Sequence, residues 1–306
     1  MKKIKFLLFA LMLLMAAPVA NAQSKFTVPV TGRKVRLWVS DEQVLSLSEK
    51  EYKSYLTSTK LSTNATQTAM VKRVGSRLAT AVETYLKQTN RMDAIQNYSW
   101  EFNLVQDNSA NAFCMPGGKI VVYEGLLPVT QDETSLAIVL GHEIAHAVAK
   151  HSAEQMSTLI RQQYGAQALS VLMQGAGASS GLQNIAGTVF GLGAKGASAK
   201  YSRNHESEAD HLGIIFAAMA GYDPQKAVDF WKRMSQATGG GSKSWLSTHP
   251  TDATRIAQIQ AWMPEAMKYY KPQAVVSTNK KNTVQTQKKN TTTQKKKSIT
   301  KKARRK

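Results

Sequence analysis

The run Leu136-Ala137-Ile138-Val139-Leu140-Gly141-His142-Glu143-Ile144-Ala145-His146-Ala147-Val148-Ala149 decides the fold of this 306-residue chain. It is apolar and rich in helix formers, and so reads as a helix. Residues four apart on a helix share a face, so His142 and His146 aim two imidazoles at one point, as a zinc ion needs. Glu143 lies beside that point, where a carboxylate can take a proton from water. The competing reading is an amphipathic helix with two satisfied histidines and a surface glutamate. Two histidines also leave a site incomplete, because a hydrolytic zinc takes three protein ligands and keeps one position open.

Glu206 is a candidate for the third ligand. It opens a second helical segment, Glu206 to Met219, and Asp210 shares its face one turn on. A carboxylate at that position can accept a hydrogen bond from the far ring nitrogen of a ligand histidine, which fixes its tautomer. The alternative is that Glu206, Glu208 and Asp210 form a solvated acidic face.

The pairing of Gly141-His142-Glu143-Ile144-Ala145-His146 with Tyr201-Ser202-Arg203-Asn204-His205-Glu206-Ser207-Glu208-Ala209-Asp210 resembles the HtpX-like and OMA-like gluzincin zinc peptidases, relatives of the CAAX prenyl protease. Asn111 to Tyr123 is similar to that family's active-site edge strand and the turn before it. Ser247-Thr248-His249-Pro250 followed by Arg255-Ile256 is similar to its C-terminal segment. The resemblance spans about Thr31 to Met263. It implies that His142, His146 and Glu206 bind one Zn2+, that Glu143 is the general base and that Asp210 supports a ligand. It also implies a mainly helical α+β fold with a small β-sheet, whose edge strand lines the cleft. Lys119, Ile120, Val121, Val122 and Tyr123 are expected to be that edge strand, on which an extended substrate adds as a further strand. Arg203, His205, Tyr201 and His249 are unranked candidates for stabilising an oxyanion. For His249 two readings stand open: a removable fourth zinc ligand, or a structural histidine held by Pro250. His151 and His211 fit a helical surface and receive no role.

The N-terminus reads as a secretory signal, with Lys2, Lys3 and Lys5 before an apolar run from Phe6 to Met15 and a small-x-small site at Ala20-Asn21-Ala22. Cleavage after Ala22 and export, to a bacterial periplasm, are the expectation. Cys114 is the only cysteine, which excludes an internal disulfide, and it reads as a small semi-buried residue. The formal net charge of +20 belongs to the tail. Lys271 to Lys306 holds 13 Lys and Arg and no acid, and with the three N-terminal lysines set aside the body carries +4. That tail reads as disordered and as a partner for an anionic envelope surface. Export and its lack of aromatic residues disfavour nucleic acid.

Residues 23–270 are therefore expected to form one metallopeptidase domain between a signal and a basic tail. Within it, strands are expected at Val35 to Val39, Trp100 to Val105 and Lys119 to Tyr123. Helices are expected from Asp41 towards Leu56, over Thr66 to Leu86, in one long zinc helix from Asp132 to Met156, from Asp223-Pro224 through Met234, and from Thr251 or Asp252 through Trp262. Gln163 to Ala199, rich in Gly, Ala and Ser, reads as packed helical pieces or a loop over the cleft and not as a membrane span. The implied activity is peptide-bond hydrolysis on unfolded or misfolded envelope proteins. A chaperone-like binder that rarely cuts is the alternative, and a surface-binding protein acting through the tail a third.

Overall fold

Two glycines bring the central helices of the computed structural model together. The structure describes residues 24–165, 180–190, 201–237, 249 and 253–272. The expected signal at 1–22, the basic tail from 273 on, the Gly-rich break at 239–242, the caps at 251–252 and most of 166–199 lie outside them. Among the described residues the helices are α1 Asp41–Ser58, α2 Ala65–Gln88, α3 Leu127–Thr130, α4 Glu133–Val148, α5 His151–Tyr164, α6 Ser180–Phe190, α7 Arg203–Met219, α8 Lys226–Ala237 and α9 Ala253–Tyr269. The strands are β1 Ser24–Thr27, β2 Lys34–Leu37, β3 Glu101–Val105, β4 Ala112–Met115 and β5 Lys119–Tyr123. The fold is α+β and mainly α, as the resemblance implied.

Helix α4 runs through the middle of the core and is buried all round from Ser135 to Val148. It crosses α7 at Gly141 and Gly213. A Cβ on Gly141 would stand 2.6 Å from the Gly213 carbonyl oxygen, and one on Gly213 would stand 2.7 Å from the His142 nitrogen. Only glycine permits that approach. The crossing falls one residue before His142, so the first turns of α7 are laid against the histidine pair. Side-chain caps fix where these helices start: Asp132 accepts from the Ser135 amide at 2.7 Å, and Ser202 from the His205 amide at 3.2 Å.

The sequence reading places a single helix from Asp132 to Met156; the structure breaks it in two. Ala149 closes α4, and Lys150 takes the left-handed conformation with φ 57° before α5 begins. Such a non-glycine residue costs roughly 1 kcal/mol of backbone strain. The Lys150 ammonium is held against it by Asp41 at 2.6 Å and lies 4.5 Å from the Phe26 ring centre. Other boundaries move by smaller amounts. Helix α1 is capped by Ser40, in a reciprocal box with Gln43, and not by Asp41. Helix α8 starts at Lys226 because Asp223 and Pro224 are spent on a turn, in which Asp223 accepts from the Gln225 amide at 3.0 Å. Helix α9 continues past Trp262 to Tyr269.

The strands form an antiparallel hairpin, β1-β2, and a three-stranded sheet in the order β3-β5-β4. Strand β5 pairs parallel with β3, Glu101 opposite Lys119, and antiparallel with β4, Met115 opposite Lys119. This corrects the assignment of Lys119 to Tyr123 as the edge: it is a strand, but the central one. Its parallel partner had been read correctly as a strand; the missed element was Ala112–Met115, a segment too short to show an alternation of its own. Among the described residues no strand pairs with the outer side of β4, whereas the outer side of β3 is partly taken by the segment at Lys60 to Ser62. Strand β4 packs directly on α4. No described helix is long and apolar enough to cross a membrane.

Candidate metal centre

Four buried side chains converge between α4, α7 and residue 249. Donor atoms of His142, His146, Glu206 and His249 all lie within 4.8 Å of one another. The Nε2 atoms of His142 and His146 are 3.0 Å apart, and each faces the Glu206 carboxylate, at 3.6 and 3.4 Å. His249 Nδ1 stands 3.3 Å from His142 Nε2 and 2.9 and 3.0 Å from the two Glu206 oxygens. Donors around a tetrahedral zinc with bonds of about 2.0–2.1 Å are roughly 3.3 Å apart, so the spacing suits that ion. Nitrogen and carboxylate donors without sulfur suit zinc as well. The helical spacing of His142 and His146 and the glycine crossing together produce this convergence.

The ionisation of the cluster follows from its burial. Burial holds the His146 imidazolium well below its ordinary pKa, so the ring is neutral, the form that ligates a metal. Burial alone would push the Glu206 carboxyl up. The His249 charge and the close approach of the His146 and His249 rings outweigh it and hold Glu206 well below the carboxylate range. For His249 burial is outweighed in turn by the charges of Glu206 and Glu143, which raise its pKa.

Each histidine of the α4 pair has its inner nitrogen aimed by a partner on its outer one. His142 Nδ1 donates to Asp210 at 2.8 Å, which leaves Nε2 as its lone-pair atom. Asp210 in turn accepts from Arg255 at 2.6 Å, and the Arg255 guanidinium lies 4.0 Å from the ring centre of the buried Trp231. His146 has the His151 imidazole as its outer partner, Nδ1 to Nδ1 at 2.8 Å, and Tyr201 stacks on its face at 4.0 Å. Glu143 is 2 % exposed, with its carboxylate 3.7 Å from His249 Nε2.

The other sequence candidates are distributed around this centre. Arg203 is exposed on the first turn of α7. His205 does not face the donors; it stacks on His151 at 4.3 Å and pairs with Glu154 at 3.2 Å. Tyr201 hydroxyl is taken by Ser152 at 2.9 Å. Cys114 is buried on β4, and burial first, then the Glu143 charge, push its thiol well above the ordinary range, so it is not a reactive thiolate. The sequence reading gave no role to Arg255, Trp231, His151 or Glu208. His211, which received no role, packs on Trp262 and bonds Glu265 at 2.7 Å.

Comparison with known proteins agrees with this geometry. The model of peptidase family M48 matches residues 65–263. Mitochondrial metalloendopeptidase OMA1 of Schizosaccharomyces pombe is 37% identical over 190 residues, which are 60% of this chain and 53% of that protein. Its namesake in Saccharomyces cerevisiae is 31% identical over 252 residues, 79% of this chain and 70% of that one. The beta-barrel assembly-enhancing protease of Yersinia pestis is 30% identical over 166 residues, 53% of this chain and 34% of that one. The chain thus spans about half the length of the first of these relatives.

Proposed function

This chain belongs to peptidase family M48, and on that premise we propose that it is an exported zinc-dependent endopeptidase acting on unfolded or misfolded envelope polypeptides. The observation that carries the reading is the buried convergence of His142, His146, Glu206 and His249 with Glu143 alongside. His142, His146 and Glu206 would hold the ion. Bound there, zinc would supply Lewis acidity, acidifying water and polarising the scissile carbonyl.

The remaining chemistry falls to the chain's own groups. Glu143 takes the proton of the attacking water and passes it to the leaving amine. Asp210, anchored by Arg255, holds His142 in the tautomer that presents Nε2. His249 stands between Glu206 and Glu143 and would serve as a removable fourth donor to the ion. The substrate backbone adds to the outer side of β4, the sheet edge nearest α4, so main-chain hydrogen bonds align it with little demand on sequence. Arg203 and Tyr201 remain candidates for the oxyanion, whereas the outward pairing of His205 removes its support. Export rests on the N-terminal segment, and N-terminal sequencing of the mature protein should read from Gln23.

Glu143→Gln tests the central claim. Cleavage of casein or unstructured peptides should fall by on the order of 10²–10⁴-fold, with zinc content unchanged. Full zinc occupancy in a wild-type protein that cuts none of these substrates would favour a chaperone-like binder.

A further inference from the structure

The strongest unassigned cluster lies behind His146, away from the donor atoms. His151 is fully buried, with its Nδ1 2.8 Å from His146 Nδ1 and its Nε2 2.9 Å from Glu208. Glu208 also accepts from Thr31 at 2.6 Å and from Arg33 Nε at 2.8 Å. The Arg33 guanidinium continues to Glu154, at 3.1 and 2.9 Å, and His205 covers the outer face of the His151 ring.

Hydrogen accounting fixes the direction of this chain. His146 presents Nε2 to the donor cluster, so its proton is on Nδ1. That N–H needs an acceptor, and His151 Nδ1 is in place to accept. His151 then carries its own proton on Nε2 and donates it to Glu208, a carboxylate that only accepts. Each link has one consistent polarity, from the metal-facing ligand out to a carboxylate neutralised by Arg33. The placement depends on the left-handed Lys150. On an unbroken helix a residue five positions after His146 would point about 140° away from it.

Resting on the metal-centre reading above, we propose that His151 is a positioning residue for ligand His146. In it, Glu208 and Arg33 hold His151 as an acceptor, and the β1-β2 turn thereby becomes part of the metal centre's support. Thr31 and Arg33 sit on that turn, more than a hundred residues before the first ligand.

The test is zinc affinity, measured on the full chain by competition with a chromophoric chelator, with thermal unfolding of the chelated chain as the control for folding. His151→Leu removes the acceptor and should weaken zinc binding by about tenfold to a hundredfold. His151→Asn places Oδ1 where Nδ1 was and should stay within about threefold of wild type. A folded His151→Leu chain with wild-type affinity overturns the proposal, as does an equal loss in Leu and Asn, which would mark a packing role only. If His151→Leu does not fold, Glu208→Ala decides: a loss of several-fold supports the proposal and wild-type affinity overturns it. Failure of the wild type to bind zinc would instead overturn the metal centre itself, so the two failures are distinguishable.

Discussion

The two histidines of the candidate centre, His142 and His146, are braced in different ways. His142 leans on a buried charge pair, Asp210 with Arg255, wedged on Trp231 by α7, α8 and α9. His146 leans on a neutral ring, and the charges stand one step further out, where Arg33 keeps 35% of its side chain exposed. The first brace concentrates its electrostatics in a dry interior, and removing one member of the pair takes the closest opposite charge from the other. The second spreads the same task over four residues towards solvent and degrades in steps.

That contrast orders the expected effects. Asp210→Ala takes from the buried Arg255 guanidinium its nearest carboxylate and should cost about 3–5 kcal/mol of stability, read by urea unfolding of the chelated protein, in addition to zinc affinity. An equal stability loss for Asp210→Ala and His151→Leu would break the comparison. Gly213→Ala disturbs both braces through the helix crossing, since its Cβ would meet the His142 nitrogen at 2.7 Å. It should cost about 1–3 kcal/mol, and zinc affinity should fall with it.

Acid should find the His146 side next. Burial holds His151 down at about 4, below the 6.5 of an unperturbed histidine, against the pull of Glu208. Between those values the unfolded chain binds more protons, so stability falls as pH drops from 6.5 towards 4. Glu208 and Glu154 are each held at about 2 against an ordinary 4.5: burial works the other way, but hydrogen bonds from His151, His205, Arg33 and Thr31 outweigh it. Their contribution is present above 4.5 and is lost as pH falls from 4.5 towards 2. A melting temperature of the chelated protein that stayed flat from pH 6.5 to 4 would contradict a buried, neutral His151. The smallest effect is expected for Arg33→Gln, about 0–1 kcal/mol at neutral pH because the residue is partly solvated, with a shallower loss of stability below pH 4.5 than the wild type shows.

The same contrast separates what could be read from sequence. His142, His146, Glu206 and Asp210 are linked by a four-residue period within two helices, so their meeting follows from helical geometry once the helices cross. Arg255 was visible only as part of a similar C-terminal segment, because nothing in its neighbours announces a partner 45 residues away. His151 was assigned to the surface because the helix was expected to run on through Lys150, and a single left-handed residue has no compositional signal when it is not glycine or asparagine. Glu208 received no role, and a solvated acidic face was only the alternative for it, since its partners, Thr31 and Arg33, lie about 175 residues earlier. The sheet edge was misplaced for a related reason. Both Ala112–Met115 and Lys119–Tyr123 suit a strand, and which of them lies outermost is a property of pairing, not of either segment.

The outer strand also sets a length. Ala112 to Met115 is four residues, about 13 Å of extended chain. A substrate aligned on it as proposed would have to offer a comparable stretch with its main-chain donors and acceptors unengaged. On that proposal di- and tripeptides would be too short to be gripped, and a native helix or sheet has already committed those groups elsewhere. On the proposed substrate track, the strand would be a gauge: it would admit a protein by how much backbone has come loose, and only afterwards by what side chains that backbone carries.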